Sequence, residues 1–391
     1  MESPTSHPSR SLAEIDAQLR RAGRPEDLYK ADLPTPALLV DLDQFERNIK
    51  RMADHAKRHG KGLRPHAKTH KCVEVARRQC AAGAHGVCVA TVPEAIVLTK
   101  GKIESILLTS PIANASRAAQ IAALAESCEL FVAVDHPQQV ALYNEAARAA
   151  GVMLNLLVDL NVGDRRTGAS PGEPAVEIGA AVMRSKNLRL RGLQAYSGGS
   201  SHIVGYTARR DHSLRAMAQA VQTCELFAKR GLPLEILSGA STGTHNIDSQ
   251  LAELTELQVG SYVFMDVDYR RIGGTHSAVF DEFAPSLTVL TTVVSANHRD
   301  RVTLDAGFKA FATDRTFGPE PKDVTGLSYS FAGDEFGALT LEQPSREIAL
   351  GDRLEFIVPH CDPTVNLYDR IYACRGDKVE EIWSVMDRLC M

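Results

Sequence analysis

The 391-residue sequence predicts an α/β fold in which a (β/α)8 barrel of the TIM type is followed by a C-terminal antiparallel β domain. Two observations predict it. Short apolar segments alternate with segments of helical periodicity about eight times over about 220 residues, and eight such units close a parallel sheet into a barrel. After about residue 285, short alternating or β-branched segments separated by Gly, Pro and Asp turns replace this pattern. A doubly wound open sheet is the alternative for the first part.

The first predicted barrel strand is the continuous apolar run at residues 37–42, which is typical of a buried parallel strand. Asp43 and Glu46 then have the spacing of a helix-capping box, and apolar residues follow at helical intervals. The pattern repeats, with helical segments between further predicted strands at residues 63–68, 86–90, 105–109, 129–134, 153–160, 188–195 and 234–237.

These elements divide the chain into three parts. We expect the barrel to span residues 31–280 and the β domain to span residues 281–391. Residues 1–30 form an N-terminal segment with a short helical pattern near residues 12–22, and we expect it to pack on the β domain.

Composition and charge limit the partners. A formal net charge of −4, with 24% charged residues, gives no reason to expect nucleic acid or an anionic membrane. No apolar run reaches the ~18 residues of a membrane span, and residues 1–4 do not begin a secretory signal. The eight cysteines form no C-x-x-C pair, which indicates reduced thiols. We therefore expect a cytoplasmic protein.

Lys68 lies where the second predicted strand ends. Its neighbours in the sequence are basic, namely Arg64, His66, His70 and Lys71. We expect this setting to lower the pKa of Lys68 by disfavouring the protonated form. A lysine with a lowered pKa is a candidate Schiff-base nucleophile, and a solvated basic loop is the alternative.

Further polar residues follow the later strands, where the chemistry of such barrels is found. They are Arg165 and Arg166 after the sixth strand, Tyr196 and His202 after the seventh, and residues 238–244 after the eighth. The last segment is rich in Gly, Ser and Thr, so its backbone N–H groups can close on an anion at the usual phosphate site of this fold. Taken alone, such a segment is more often a plain loop. A Schiff-base lysine and a phosphate cradle together indicate pyridoxal 5′-phosphate (PLP).

His360 and Asp362 form a candidate metal site near the C-terminus. If they lie on a strand, alternate residues share a face, so the two side chains point together and Cys361 points away. A nitrogen and oxygen pair of this kind suits a divalent cation with open water positions. A hydrogen-bonded histidine and a turn-forming aspartate before proline are the alternative, and a Cys361 thiolate ligand would instead favour zinc.

Several motifs extend over nearly the whole chain. They are PHAKTHK (65–71), GDRRTG (163–168), LQAYSGGSSH (193–202), SGASTGT (238–244), ELQVGSYVFMDVDY (256–269), LDAGFKA (304–310) and PHCDPTVNLYD (359–369). By these motifs the chain resembles the D-threonine aldolase and D-serine dehydratase-like group of fold-type III PLP enzymes. The resemblance implies a barrel of the alanine racemase type, a C-terminal β domain and a homodimer.

The resemblance also implies roles for individual residues. Lys68 would carry the cofactor, Arg166 would approach its pyridine nitrogen, and His202 would be the catalytic base. His360 and Asp362 would bind a divalent metal, with Mn²⁺ expected and Mg²⁺ or Zn²⁺ as alternatives. The residues expected around the cofactor, several of them at its phosphate, are Tyr196, Thr242, Gly243, Ser261 and Tyr262.

The reaction that the resemblance implies is retro-aldol cleavage of a small D-3-hydroxy-amino acid, such as D-threonine, to glycine and an aldehyde. His202 favours this reaction, because cleavage needs a base at the β-hydroxyl. The alternatives are a D-serine or D-threo-3-hydroxyaspartate dehydratase and a PLP-binding protein without turnover. One departure from the aldolases is Ser197, where they usually have histidine.

Overall fold

The computed structural model describes residues 24–386, and most of the chain forms an eight-stranded parallel sheet with helices around it. The predicted helix near residues 12–22 and Cys390 lie outside the described residues. After β1 (Ala37–Asp41), the strands of this sheet are β2 (Gly62–Leu63), β3 (Val87–Val89), β4 (Ser105–Leu108), β5 (Glu129–Val134), β6 (Leu154–Asp159), β7 (Leu188–Ala195), β8 (Ile236–Gly239) and β9 (Glu256–Leu257). Their order is β2-β9-β8-β7-β6-β5-β4-β3.

The sheet curls until its edge strands β2 and β3 meet. The His85 N–H donates to the Leu63 carbonyl at 3.1 Å, and the Cys88 N–H donates to the Pro65 carbonyl at 2.8 Å. These bonds bring the sheet to a nearly closed parallel barrel, so the prediction of a (β/α)8 barrel is confirmed.

Helices follow most of the barrel strands and also flank the second sheet. They are α1 (Leu42–Arg58), α2 (Val73–Ala81), α3 (Val92–Lys100), α4 (Ala115–Leu124), α5 (Pro137–Ala150), α6 (Glu173–Arg184), α7 (Gly198–Ser201), α8 (Tyr206–Lys229), α9 (His245–Asp248), α10 (Val267–Arg270) and α11 (Cys361–Val365). The predicted capping box at Asp43 is wrong, because α1 begins earlier and its cap is Asp41, which accepts a hydrogen bond from the Gln44 N–H at 3.1 Å.

The second sheet has nine strands and is mostly antiparallel, as predicted. Besides β1, its strands are β10 (Leu287–Ser295), β11 (Arg301–Leu304), β12 (Glu320–Pro321), β13 (Leu327–Phe331), β14 (Gly337–Leu341), β15 (Arg353–Ile357), β16 (Arg370–Arg375) and β17 (Lys378–Ser384). The main path runs β13-β14-β11-β10-β1-β16-β17, and β15 pairs with both β10 and β12.

The assignment of residues 37–42 to the barrel is wrong. Strand β1 lies between β10, its antiparallel neighbour, and β16, its parallel neighbour, in the second sheet. The eighth barrel strand is β9, which has two residues and leaves almost no pattern in the sequence. A central strand is buried on both faces in either sheet, so the apolar run could not distinguish them. The predicted division into domains stays a prediction.

The beginning of the described chain lies against β17. The Val379 N–H donates to the Leu28 carbonyl at 2.9 Å, and the Lys30 N–H donates to the Asp377 carbonyl at 2.8 Å. Within residues 24–386, no helix has the length and apolar character needed to cross a membrane.

Candidate active site

Lys68 lies at the carboxyl end of the barrel strands, in a single 3-10 turn, Ala67–Thr69, that follows β2. The His66 side chain caps this turn by accepting a hydrogen bond from the Lys68 N–H at 3.3 Å. The Lys68 Nζ donates to Asp362 Oδ2 at 2.8 Å. The two predicted site residues most distant in the sequence are therefore in direct contact.

The expected lowering of the Lys68 pKa is wrong. The Asp362 carboxylate raises the pKa of Lys68 above its usual range, and this effect exceeds the opposing effect of burial. The basic neighbours do not act as free positive charges. Arg64 is paired with Glu256 inside the barrel at 3.1 Å, and burial lowers the pKa of His66 well below its usual value.

The other two basic neighbours are also without effect as free charges. Burial lowers the pKa of His70 to about 4, so its ring is neutral at pH 7. Lys71 Nζ lies 3.1 Å from Glu94 Oε1, which compensates its charge. None of the four basic neighbours therefore acts on Lys68 as an uncompensated positive charge. Its direct partner is instead the acidic Asp362.

A cavity of ≈250 Å³ opens beside Lys68. Its lining includes His66, Lys68, Thr109, Arg166, Gln194 and Tyr196. The Arg166 guanidinium lies over the Tyr196 ring, with its carbon 5.7 Å from the ring centroid. Three of the predicted site residues, Lys68, Arg166 and Tyr196, thus share one cavity, whose volume is slightly below the roughly 300–1,000 Å³ typical of ligand pockets.

The predicted phosphate cradle lies in two adjacent loops. The Tyr262 N–H donates to Thr242 Oγ1 at 3.0 Å, which joins the loop after β8 to the loop after β9. Among the described residues, the N–H groups of Thr242, Gly243 and Ser261 donate to no protein atom. Such unpaired N–H groups on adjacent loops at the carboxyl end of a barrel fit a phosphate group, and so they fit PLP.

Close packing explains two glycines in these loops. A Cβ at Gly243 would lie 2.2 Å from the Ser201 carbonyl oxygen, and a Cβ at Gly260 would lie 2.6 Å from Thr69 Oγ1. Thr69 follows Lys68, so the cradle adjoins the lysine. The Tyr262 ring, by contrast, lies in the core, where its hydroxyl accepts a hydrogen bond from Gln79 Nε2 at 3.1 Å.

His202 directly follows the short helix α7. Its Nδ1 lies 3.0 Å from Asp268 Oδ2, within ion-pair distance but not in line for a hydrogen bond, and its ring packs on Tyr269 at 4.7 Å. Burial alone would raise the pKa of Asp268, but His202 and Arg315 lower it to about 2. Asp268 is therefore a carboxylate at neutral pH and can stabilise a protonated His202.

Sequence reasoning missed Asp268 and Asp164. Asp164 accepts hydrogen bonds from the Gly198 and Gly199 N–H groups, at 2.6 and 3.0 Å, and so holds the start of α7 in front of His202. Both acids lie inside the sequence motifs GDRRTG and ELQVGSYVFMDVDY, but spacing alone did not indicate a role for either one.

His360 and Asp362 are not on a strand, so the geometric reason for pairing them is wrong. Strand β15 ends at Ile357, and His360 is the residue directly before the short helix α11, without a side-chain capping hydrogen bond. His360 Nδ1 lies 2.8 Å from Asp314 Oδ2. Among residues 24–386, no group of three or more His, Cys, Asp or Glu side chains is arranged to hold a metal ion.

One feature nevertheless fits a cation at this place. Asp362 Oδ1 is buried and accepts no hydrogen bond within the described part of the chain. Burial would raise the Asp362 pKa, but Lys68 and His360 hold it well below the usual value, so the group is ionised. A buried carboxylate oxygen without a partner is available to a divalent ion.

Comparisons with known proteins agree with this geometry. Residues 40–268 match the family model "Alanine racemase, N-terminal domain", and residues 286–374 match "Putative serine dehydratase domain". A 3-hydroxy-D-aspartate aldolase of Paracoccus denitrificans (strain Pd 1222) is 34% identical, with 92% of this chain and 93% of the relative covered.

Two solved structures are similar over nearly their whole length. D-threonine aldolase from Filomicrobium marinum has a TM-score of 0.90 and 37% identity, with 95% of this chain and 99% of that chain covered. D-threo-3-hydroxyaspartate dehydratase from Delftia sp. HT23 has a TM-score of 0.81 and 28% identity, with coverages of 92% and 99%. The chain therefore belongs to the D-threonine aldolase and D-serine dehydratase-like group of fold-type III, alanine racemase-like PLP enzymes.

Proposed function

We propose that the protein is a lyase that cleaves D-3-hydroxy-amino acids such as D-threonine to glycine and an aldehyde. The observation that carries the proposal is that two sets of contacts adjoin each other at one end of the barrel. Lys68 pairs with Asp362. His360, two residues before Asp362, is joined through Asp314, Arg315 and Asp268 to His202. An attachment point for a cofactor and a base for the substrate are thereby held in one site.

Residues of the cavity and of the predicted phosphate cradle would together hold PLP by its two ends. Lys68 would be the point of attachment, and the free N–H groups of Thr242, Gly243 and Ser261 would receive the phosphate. The Arg166 guanidinium would present a positive charge to the pyridine nitrogen. When bound, PLP supplies an electron-withdrawing ring that stabilises the negative charge left at Cα when a bond to Cα breaks.

His202 would take the proton of the substrate's β-hydroxyl as the Cα–Cβ bond breaks. The ionised Asp268 carboxylate at 3.0 Å from His202 Nδ1 would stabilise the imidazolium that results. The proton would then be held at Nε2, the nitrogen that does not face Asp268.

A divalent metal would be held by His360 and Asp362, with Asp362 Oδ1 as the available oxygen. Such an ion acidifies a hydroxyl that approaches it. Because Lys68 Nζ occupies Asp362 Oδ2, the lysine charge and the metal would compete for this carboxylate. Mn²⁺ as the native metal, the homodimer and the cytoplasmic location stay predictions from the sequence.

The dehydratase is the second candidate, since one of the similar solved structures has that activity. It would require Lys68 to remove the α-proton and would release a 2-oxo acid and ammonia. The His202–Asp268 pair favours the aldolase, because a base at the β-hydroxyl serves bond cleavage and does not help a hydroxide to leave.

Product identification tests the proposal. The purified protein is incubated with D-threonine, PLP and Mn²⁺, with and without a chelator, and the products are separated and quantified. We expect glycine and acetaldehyde in equal amounts, and loss of both with the chelator. 2-Oxobutanoate and ammonia would contradict the aldolase and support the dehydratase.

Lys68→Ala is the matching variant for this experiment, with Lys50→Ala as its control. Lys50 lies on the exposed face of α1 and pairs with Asp54. We expect Lys68→Ala to lose both products and the visible absorbance of lysine-attached PLP, and Lys50→Ala to keep them. An unchanged spectrum in Lys68→Ala would exclude Lys68 as the point of attachment.

A further inference from the structure

We propose that Arg315 is a positioning residue that fixes His202 and His360 relative to each other by holding the carboxylate behind each imidazole. The inference deepens the proposed function and rests on it, because it assigns the part of the site that aligns the base with the candidate metal ligand.

Arg315 contacts both carboxylates with different nitrogens. Its Nε donates to Asp268 Oδ2 at 2.8 Å, and its Nη1 donates to Asp314 Oδ2 at 2.6 Å. The same two oxygens face the histidines: Asp268 Oδ2 lies 3.0 Å from His202 Nδ1, and Asp314 Oδ2 lies 2.8 Å from His360 Nδ1. The five side chains form an unbroken row with Arg315 at its centre.

The residues of this row come from different parts of the fold. His202 follows β7 and Asp268 is in α10, both on the barrel side. Arg315 and Asp314 lie in the segment between β11 and β12 of the second sheet, and His360 precedes α11. Arg315 is therefore the point at which the second sheet determines where the barrel's histidine lies.

Both histidines use Nδ1 toward the row, which leaves Nε2 of each for the substrate or a cation. The Asp314 carboxylate, hydrogen-bonded to His360, fixes the tautomer and ring orientation of that imidazole, and the Asp268 charge beside His202 Nδ1 favours the tautomer with its proton on Nδ1. Here one guanidinium fixes both carboxylates, so a change at Arg315 would disturb the two imidazoles together.

Charge balance supports the same role. Two carboxylates and one guanidinium leave a net charge of −1, which suits one imidazolium or one cation at either end. Without Arg315, Asp268 and Asp314 would be two carboxylates without the cation that lies between them. A lysine would restore the charge, but its single ammonium lacks the planar fork that reaches two acceptors in different directions.

Kinetics of the PLP-loaded enzyme test the inference. We expect Arg315→Lys to lower kcat about 10- to 100-fold, the usual effect of losing a partner behind a metal-binding or catalytic histidine. The KM for D-threonine and the affinity for PLP should stay within about threefold, because Arg315 does not line the cavity. The matched control is Arg271→Ala, since Arg271 is exposed and pairs with Glu320 instead; its kcat should be unchanged.

Arg315→Ala with added guanidinium separates positioning from folding. Guanidinium that enters the vacated space should restore part of the lost kcat in this variant and should not raise the activity of the parent enzyme. A kcat of Arg315→Lys within twofold of the parent would overturn the inference. So would a loss of activity that only follows the loss of PLP binding, or an Arg315→Ala variant that guanidinium does not restore.

One measurement does not depend on turnover. In ¹⁵N-histidine NMR spectra of the PLP-loaded protein, with signals assigned through His202→Gln and His360→Gln, the parent should show both imidazoles protonated at Nδ1. Arg315→Ala should change both signals, and Arg271→Ala neither. If D-threonine is not cleaved but both signals change, the proposed function fails and the positioning role stands. If only one signal or neither changes, the positioning role fails.

Discussion

Asp362 determines the protonation state of Lys68 in the protein without ligands. The carboxylate at 2.8 Å keeps the lysine protonated, so attachment of an aldehyde at Lys68 requires this ion pair to separate. The sequence correctly predicted that Lys68 lies at the end of a strand, but it did not predict the charges around this lysine. Those charges depend on two acids from other elements: Glu256 pairs with Arg64, and Glu94 pairs with Lys71.

His202 is the residue whose removal should affect chemistry most selectively. We expect His202→Gln to lower kcat about 10²- to 10⁴-fold, the usual contribution of a general base, with PLP affinity unchanged. Steady-state kinetics and a PLP titration measure the two quantities. His298→Gln, in an exposed turn, serves as the control. A normal kcat in His202→Gln would rule out this histidine as the base.

The variant Gly243→Ala tests whether the loops around Thr242, Gly243 and Ser261 bind the phosphate. A Cβ at this position would lie 2.2 Å from the Ser201 carbonyl, so the loop must shift in Gly243→Ala. We expect PLP affinity to fall at least about tenfold, since the N–H groups lose their arrangement. Phosphate-free pyridoxal should bind the variant and the parent alike. Equal PLP affinity in the two proteins would place the phosphate elsewhere.

Among the elements, the short ones position the site and are the ones that the sequence predicted least well. Helix α7 and α11 have four and five residues, and β9 has two, too few for periodicity to distinguish them from loops. Longer elements such as β7 and α8 followed from their patterns. The condition that His360 lies on a strand fails, because β15 ends at Ile357 and His360 directly precedes the short helix α11.

Asp164 should affect kcat by holding helix α7 in place. Its carboxylate accepts from two N–H groups at the start of this helix, and losing such a cap costs about 1 kcal/mol. Because α7 leads directly into His202, we expect Asp164→Ala to lower kcat about five- to tenfold with little change in the thermal midpoint. Asp211→Ala, on the exposed face of α8, is the control. An unaffected kcat would show that α7 keeps its position without this cap.

At the scale of the whole molecule, the site forms where the two sheets meet. The barrel contributes Lys68, the cradle and His202, and the segments connected to the second sheet contribute Arg315, His360 and Asp362. The prediction of a barrel and a β sheet was correct because both have many strands with strong patterns. The position of β1 in the second sheet could not be predicted, because a central strand is equally buried in the barrel and in the second sheet.

Buried histidines should make the stability of the molecule depend on pH. Burial lowers the pKa of His70 from 6.5 to about 4, so between these values the unfolded chain binds a proton that the folded protein does not. The stabilisation is present above pH 6.5 and is lost as the pH falls toward 4, by about 2 kcal/mol at pH 5. Urea unfolding at pH 7.5 and 5 measures it.

The matching variant is His70→Asn, whose side-chain oxygen can accept the Cys72 N–H as His70 Nδ1 does at 3.1 Å. We expect its loss of stability between the two pH values to be smaller by about 2 kcal/mol, whereas His298→Asn should behave as the parent. The same pH dependence in His70→Asn would contradict a buried neutral His70.

The central claim is that the site breaks the Cα–Cβ bond and leaves the Cα–H bond intact. The most direct test is turnover of D-threonine that carries deuterium at Cα, in ordinary water with PLP and Mn²⁺, followed by mass spectrometry of the products. If His202 initiates cleavage at the β-hydroxyl, glycine retains the single deuterium. Glycine without the label, or unlabelled 2-oxobutanoate, would mean that Lys68 removes the α-hydrogen, and the account of His202 as the base would be wrong.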